Sequence, residues 1–399
     1  MNVKGTIDWV KEYNLRKHVI DKFAQTMNLY GFDMIEPSIL ERYELFIRTV
    51  GESSDIMQKE MFFAISQQNQ DLNIVLRPEF TTSVIRSLIE AGEIHDRRIS
   101  YFGKVFRHNR PQKGRYREFT QLGCEVFDDH PYIDIDVIAS AVNFLNELGL
   151  KIKVKLNSLG SSETIAKYGI VLKEYMSNNN LTNDININPM RILDKMSNAD
   201  QEKYDIPKIR QYMNDNDIKR FDIVCNGLEK QNIDFVIDEY LVRGLDYYNN
   251  TIFEIENESL DTQSSILGGG AYNGLVKKLG GPDIPGIGWS FGLERILMMN
   301  IQANSDEKRI VVISINEHDY ALKVSNMLRN DSNMLNKKYK TITLFSDWKK
   351  SMKKLNKINP QYIVFCGNEE KIKNSVKLKN CETETQINVS YDNLIGIIK

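Results

Sequence analysis

The segment from Arg98 to Phe127 limits what this chain can fold into more than any other stretch. Arg98–Phe106 and Glu118–Phe127 suit strands, and the eleven residues between them carry Arg107, Arg110, Lys113, Arg115 and Arg117 without one acid. Two strand-like runs joined in this way predict a long hairpin with a cationic tip. So much positive charge in a short loop repels itself, which points to an anion at the tip, polyphosphate or an RNA end. An ordinary basic surface loop is the alternative. On the returning strand, side chains two apart share a face, so Phe119, Gln121, Gly123, Glu125 and Phe127 line one side. Polar Gln121 and Glu125 between two aromatics, with Gly123 leaving space, predict a small ligand that carries a cation.

A second polar cluster runs from Leu76 to Thr81, entered from the apolar pair Ile74 and Val75. Pro78 lacks a backbone donor, which confines it to a strand edge or end where neighbouring side chains can face a pocket. Glu79 is then a candidate for binding an ammonium group, and a surface salt bridge to Arg77 or Arg86 is the competing reading.

With 399 residues the chain exceeds one ordinary core, so two or three domains are expected. An amphipathic helix is predicted from Val10 to Tyr30, closed by Gly31, and Pro37 marks an extended segment. Ile133–Leu148 has helical spacing and Lys151–Leu156 alternates like a strand. From Ser161 to Asp234 the chain turns helical, Asn-rich and polar, which predicts a helical insertion. Strand-like, glycine-rich segments follow at Tyr240–Glu256 and Ser264–Gly288, then a helix from about Phe291. The last part alternates strands (Ile310–Ile315, Thr341–Phe345, Tyr362–Cys366) with helices (Asp319–Leu328, Trp348–Leu355), as a compact α/β module does.

Charge divides the same way. Residues 308–399 hold 17 Lys or Arg against 9 Asp or Glu, leaving 35 against 45 for residues 1–307. A basic module on an acidic body suits a polyanionic partner, although a solvated lysine-rich face gives the same count. No apolar run is long enough to cross a bilayer and no secretory signal is evident, so a cytoplasmic protein without membrane contact is expected. Cys124, Cys225, Cys366 and Cys381 form no CxxC pair and the five histidines show no HxxxH spacing, so neither disulfides nor a structural metal site is expected.

The peptides LRPEFTTSVIR, FRHNRPQKGRYREFTQLGCEVF, LVRGLDYYNNTIFE and GIGWSFGLERIL, in that order, resemble the motifs of the class II histidyl-tRNA synthetases, over nearly the whole chain. YGFDMIEPSIL resembles the family's dimer-forming motif 1, the cationic hairpin its motif 2 and FGLER its motif 3, while LVRGLDYY is characteristic of the histidine-specific branch. The resemblance implies an α+β fold: an antiparallel six- or seven-stranded class II catalytic domain in two parts, 1–160 and 235–303, around a helical insertion, 161–234, with an α/β anticodon-binding domain at 308–399. It implies a homodimeric histidine–tRNA ligase that uses ATP with Mg2+ to activate L-histidine and charges histidine tRNA. Arg243 and Arg107 would be catalytic. Glu79, Thr81, Gln121, Glu125, Tyr248 and Tyr272 would bind histidine; Arg107, Arg115 and Arg295 would bind ATP; Arg110 and Gln112 would meet the tRNA acceptor end. A non-catalytic paralogue serving as a regulatory subunit in histidine biosynthesis is the alternative. One peptide departs from the family: where GGRYDGL is usual, Gly269–Leu275 has Ala271 and Asn273 in place of Arg and Asp. Residues two apart on an extended segment face one way, so the missing pair is expected to belong to one charge network, lost together as a compensated structural change that leaves Arg243 and Tyr272 to work.

Overall fold

The hairpin expected from residues 98–127 forms the backbone of the fold. The computed structural model describes residues 2–51, 54, 56–67, 73–181, 188–257, 265–299, 301, 308–332, 334, 339–346 and 348–398, and the chain divides into two compact units, 1–303 and 304–399.

In chain order the strands of the first unit are β1 (Asp33–Met34), β2 (Leu40–Arg42), β3 (Phe62–Ala64), β4 (Ile74–Leu76), β5 (Arg98–Phe106), β6 (Glu118–Val126), β7 (Ile152–Ser158), β8 (Phe235–Ile237), β9 (Asn249–Asn257), β10 (Ser265–Tyr272) and β11 (Gly286–Gly292). Eight of them make one sheet in the order β1-β5-β6-β11-β10-β9-β7-β8, and β2, β4 and β3 make a small one. The six middle strands are antiparallel, as expected, but the short edge strands β1 and β8 pair in parallel with β5 and β7. Neither short edge stands out by periodicity.

Strand alternation decides what lies on each face. Leu122, Cys124 and Val126 of β6 point into the main core with Trp289 and Phe291 of β11, under the helices Tyr13–Leu29 and Pro131–Glu147. Trp289 Nε1 donates to Val137 O and Ser140 Oγ at 3.1 and 3.0 Å, so this buried donor is satisfied. The opposite face packs on the helix Thr81–Ala91 through Phe80, Val84, Ile85 and Leu88, together with Tyr101 and Phe127. Pro78 falls just past the end of β4, where a missing donor costs nothing in the ladder.

The stretch after β7 is helical where described: Ser162–Asn178, Pro189–Lys195, Asn198–Lys203 and Asp215–Lys230. The last of these starts with a capping box, Asn214 with Asp217, and sends Phe221, Val224 and Leu228 into the main core. The first two build a separate cluster with Leu241, Val242 and Ile252. Residues 240–248, read as strand from the sequence, have no partner strand among the described residues and form an irregular segment. Its Leu241 carbonyl accepts from Asn157 Nδ2 at 2.9 Å instead.

In the second unit β12 (Lys308–Ser314), β13 (Tyr339–Leu344), β14 (Tyr362–Cys366), β15 (Ser375–Asn380) and β16 (Gln386–Ser390) form a sheet in the order β13-β12-β14-β15-β16. The first three are mutually parallel, and the central strand β12 is buried on both faces: Ile310 and Val312 meet the helix His318–Asn330, while Val311 and Ile313 meet the helix Trp348–Ile358. The antiparallel pair β15–β16 was not expected, because among its apolar positions only Val376, Leu378 and Val389 are buried and the rest reads as polar loop.

Candidate active site

One cavity of about 840 Å3 opens on the face of the large sheet away from the main core. Glu79, Thr81, Arg107, Arg115, Gln121, Arg243, Tyr248 and Arg295 all line it. Its wall has two parts, an acid and amide group and a set of arginines, which meet where Arg107 approaches Glu79.

The polar part is built on β6 and the start of the helix Thr81–Ala91. Glu79 Oε1 accepts from Thr82 N at 2.9 Å, and burial raises its carboxyl above the usual range. The salt-bridge alternative fails. Arg77 lies over Phe80 and donates to the Pro37 and Lys104 carbonyls, and Arg86 pairs with Glu41 and Glu90. Gln121 Nε2 donates to Ser290 Oγ at 2.7 Å, while its buried Oε1 accepts no hydrogen bond from the described residues. Such an unused acceptor on a cavity wall calls for a donor from a ligand.

Glu125 and Tyr272 do not reach the cavity wall and are sealed behind it. Glu125 Oε1 accepts from Thr81 Oγ1 at 2.6 Å and Tyr101 OH at 3.0 Å, and its Oε2 accepts from Tyr272 OH at 2.7 Å. Glu125 and Tyr272 meet across the intervening strand β11. This is open only because that strand has glycine twice: a Cβ on Gly286 would lie 2.4 Å from the Tyr272 ring and one on Gly288 would lie 1.9 Å from Glu125 Oε2.

Burial pushes the Glu125 carboxyl up to about 7, against the three hydroxyl donors. Its folded-state value is therefore above the unfolded one. The stability it contributes is fully present below the unfolded value of 4.5 and is lost as pH rises through about 7. In urea unfolding from pH 4.5 to 8, Glu125→Gln, which copies the protonated acid, should lose this stability decline, so that it gains on the parent protein above pH 7. Parallel pH curves for the two would show that Glu125 is ionised throughout.

The other part is cationic. Arg107 Nε donates to Pro78 O at 2.8 Å and its guanidinium sits 5.5 Å over the Phe119 ring; Arg295 Nη1 donates to Ser265 O. Burial holds both guanidinium groups below their ordinary range, and the neighbouring charge of Arg115 acts the same way. All stay charged at any working pH. Arg243 pairs through Nη1 with Glu254, lies 5.6 Å over the Tyr248 ring, and spreads against Gly268, where a Cβ would be 2.1 Å from its Nη2. Arg110 and Gln112 lie exposed on the hairpin loop and outside the cavity lining, with Arg115 N donating to Gln112 O at 2.9 Å. Arg117 braces the loop instead, its N–H donating to Gly5 O at 2.7 Å.

Sequence reasoning missed several lining or supporting residues. Tyr101 lies opposite Gly123 on β5, a relation that the hairpin register contains; Ser290 and Glu254 depend on neighbours far away in sequence. Arg191 and Asp194, from the helix Pro189–Lys195, also line the cavity, and nothing local marks them. The Ala271–Asn273 expectation is corrected. β10 ends at Tyr272, so the alternation does not carry on to residue 273: Ala271 is buried in the main apolar core and Asn273 is exposed. The two side chains share no face, and neither enters the cavity.

Among the described residues there is no group of three or more His, Cys, Asp or Glu able to hold a metal ion, and no helix long and apolar enough to cross a membrane.

Comparison with known proteins converges on one family. Residues 10–296 match the family model of histidyl-tRNA synthetase and residues 309–399 that of an anticodon binding domain. The histidine–tRNA ligase of Wolbachia pipientis from Culex pipiens is 36% identical, with 98% of each chain covered. That of Mycoplasma capricolum is 33% identical, with 99% of each covered. In three dimensions the chain is similar to apo histidyl-tRNA synthetase of S. aureus, with a TM-score of 0.81 and 25% identity over 99% of this chain and 98% of that one. A Bacillus halodurans protein described as an ATP phosphoribosyltransferase regulatory subunit/histidyl-tRNA synthetase shares the fold, with a TM-score of 0.68 and 21% identity over 92% of this chain and 98% of that one.

Proposed function

Because the chain belongs to the histidyl-tRNA synthetase family, we propose that it is a histidine–tRNA ligase, joining L-histidine to ATP as histidyl-adenylate and passing the histidyl group to the 3′ end of histidine tRNA. The observation that carries this reading is a single cavity lined by the carboxylate of Glu79, the amide of Gln121 and five arginines, Arg107, Arg115, Arg191, Arg243 and Arg295. That lining suits an amino acid lying head-on to a triphosphate.

In the polar part Glu79, Thr81 and Gln121 take the histidine ammonium and Tyr248 faces the imidazole; Glu125 and Tyr272 act from behind, holding Thr81. An analogue without these donors leaves buried acceptors such as Gln121 Oε1 unpaired, which is how the site selects. Arg107, Arg115 and Arg295 hold the ATP phosphates. The histidine carboxylate oxygen bonds to the α-phosphorus as the bond to the bridging oxygen of pyrophosphate breaks, and Arg243 meets the charge gathering there. Mg2+ fits as the companion of ATP: the described cavity wall offers carboxylates such as Glu254, whose charge Arg243 shares, and the ion would complete its shell with phosphate and water. There it would neutralise phosphate charge.

Histidine-dependent exchange of pyrophosphate into ATP tests the reading directly. A folded protein with no exchange would favour a regulatory paralogue, a reading already opposed by the anticodon-binding match at 309–399. The catalytic body would comprise 1–160 and 235–303 around the insertion 161–234, with 308–399 contacting the anticodon arm through its positive surface. We also place the enzyme in the cytoplasm as a homodimer. The exposed apolar side chains Met34, Ile39, Leu40 and Phe63, in and beside the motif 1 segment, support the dimer, and sedimentation equilibrium giving a single-chain mass would refute it.

Arg110 and Gln112, exposed on the motif 2 loop, are assigned to the tRNA acceptor end. Gln112→Ala should slow transfer to tRNA several-fold while leaving pyrophosphate exchange close to that of the parent. Equal loss in both steps would move Gln112 into the adenylation site.

A further inference from the structure

The insertion reaches the cavity through one short helix, and its contacts fall on the segment that bears Arg243. Arg191 Nη2 lies 3.0 Å from Asp246 Oδ2, with the arginine side chain only 11% exposed and the carboxylate 30% exposed. Asn188 Nδ2 donates to the other oxygen of the same carboxylate at 3.1 Å. The oxygen that meets Arg191 also packs against Gly51, where a Cβ would lie 2.4 Å from Asp246 Oδ2. Asp246 is thus gripped from two elements remote in sequence. It sits three residues after Arg243 and directly before Tyr247 and Tyr248, in a segment with no partner strand among the described residues to fix its path. Where a ladder is missing, side-chain contacts must set the backbone position.

We propose that Arg191 is a positioning residue for adenylate formation: by latching Asp246 it fixes the 243–248 segment, and so holds the Arg243 guanidinium over the reacting phosphate. The helical insertion is then part of the catalytic apparatus. The latch also makes adenylation responsive to anything that moves the insertion. A rival role exists, since Arg191 itself lines the cavity and a cation there can touch phosphate directly. The two roles predict different couplings. A residue that acts through Asp246 loses its effect once Asp246 is gone, whereas one acting on phosphate does not.

The inference rests on the assignment of Arg243 as the catalytic arginine, and a double-mutant cycle on the full-length enzyme tests it. Arg191→Ala and Asp246→Ala should each lower the kcat of histidine-dependent pyrophosphate exchange by about 10- to 100-fold, the cost of a displacement near 1 Å. The double variant should be no worse than the poorer single one, KM for ATP should stay within about threefold of the parent's, a factor worth well under 1.4 kcal/mol, and Arg191→Lys should recover most of the rate. Additive losses, a raised KM for ATP in Arg191→Ala alone, or an unchanged kcat would overturn the latch. Should Arg191→Ala melt below the assay temperature, Asp246→Ala, changed at the more exposed partner, decides: full activity there refutes the proposal. Arg243→Ala in the same assay keeps the premises apart. If it retains exchange, the assignment of Arg243 has failed; if it alone loses exchange, only the latch has.

Discussion

Arg243→Ala is expected to lower histidine-dependent pyrophosphate exchange by roughly a thousandfold, while histidine affinity changes only modestly. In the role proposed for it the guanidinium would meet charge that develops as the α-phosphorus is attacked, so its interaction would be weak in the ground state and strong in the transition state, and removing one such preorganised donor costs roughly 10²–10³ in rate. The side chain is well placed for this: it lies flat on β10 at Gly268, is backed by the Tyr248 ring, and is fixed by Glu254. Truncation leaves the Glu254 carboxylate in the cavity without its partner, so part of the loss comes from added negative charge beside the phosphates. Arg243→Lys separates the two effects, since it keeps the charge near Glu254 but loses the planar fork. Exchange kinetics with isothermal titration of histidine would measure both quantities. A rate within tenfold of the parent's would remove Arg243 from the chemistry, and a histidine affinity that fell in step with the rate would make it a binding residue instead.

Ala271→Arg should destabilise the fold by about 3–5 kcal/mol, because it buries a charge without a partner. Residue 271 is only 3% exposed and shares its apolar core with Phe253, Trp289 and Ile287. Asn273→Asp changes an exposed position and should stay within about 0.5 kcal/mol. The double variant should then equal the sum of the two, because the side chains point to different environments. Urea unfolding of the three variants measures this. A double variant clearly more stable than the sum would restore the idea of a shared charge network. Exchange activity adds a second reading: the parent should be active, since neither residue enters the cavity and the carboxylate–tyrosine pair Glu125–Tyr272 is intact. A folded but inactive parent would mark a decayed site instead.

Much of the fold was legible because its information is local. The β5–β6 hairpin carries its own turn and its own alternation, and the structure pairs Arg98 with Val126 through to Phe106 with Glu118 as the sequence pattern demands. The face of β6 turned toward the cavity, with Gln121 and Glu125 between Phe119 and Phe127, follows from a period of two, and Tyr362–Cys366 follows from an unbroken apolar run. The segments 240–248 and 375–390 were misread or passed over for a matching reason. The first has strand-like residues and no strand to pair with among the described residues; the second has pairing partners but a polar exterior that hides them.

The sequence by itself determined which side chains carry charge toward the site and on which face of their own strand they stand, because covalent geometry fixes both. Only the tertiary structure decided which of them meet. Glu125 turned out to lie beneath the cavity wall because β11 places Gly286 and Gly288 between it and Tyr272, a matter of strand order. Ala271 faced the core and Asn273 the solvent because β10 stops at Tyr272. Arg191 and Asp194 reached the cavity because their helix packs beside the 243–248 segment, some fifty residues away along the chain. Such relations are set by the register and packing of distant segments, whose free energy is shared over many contacts and leaves no pattern in any one stretch of sequence.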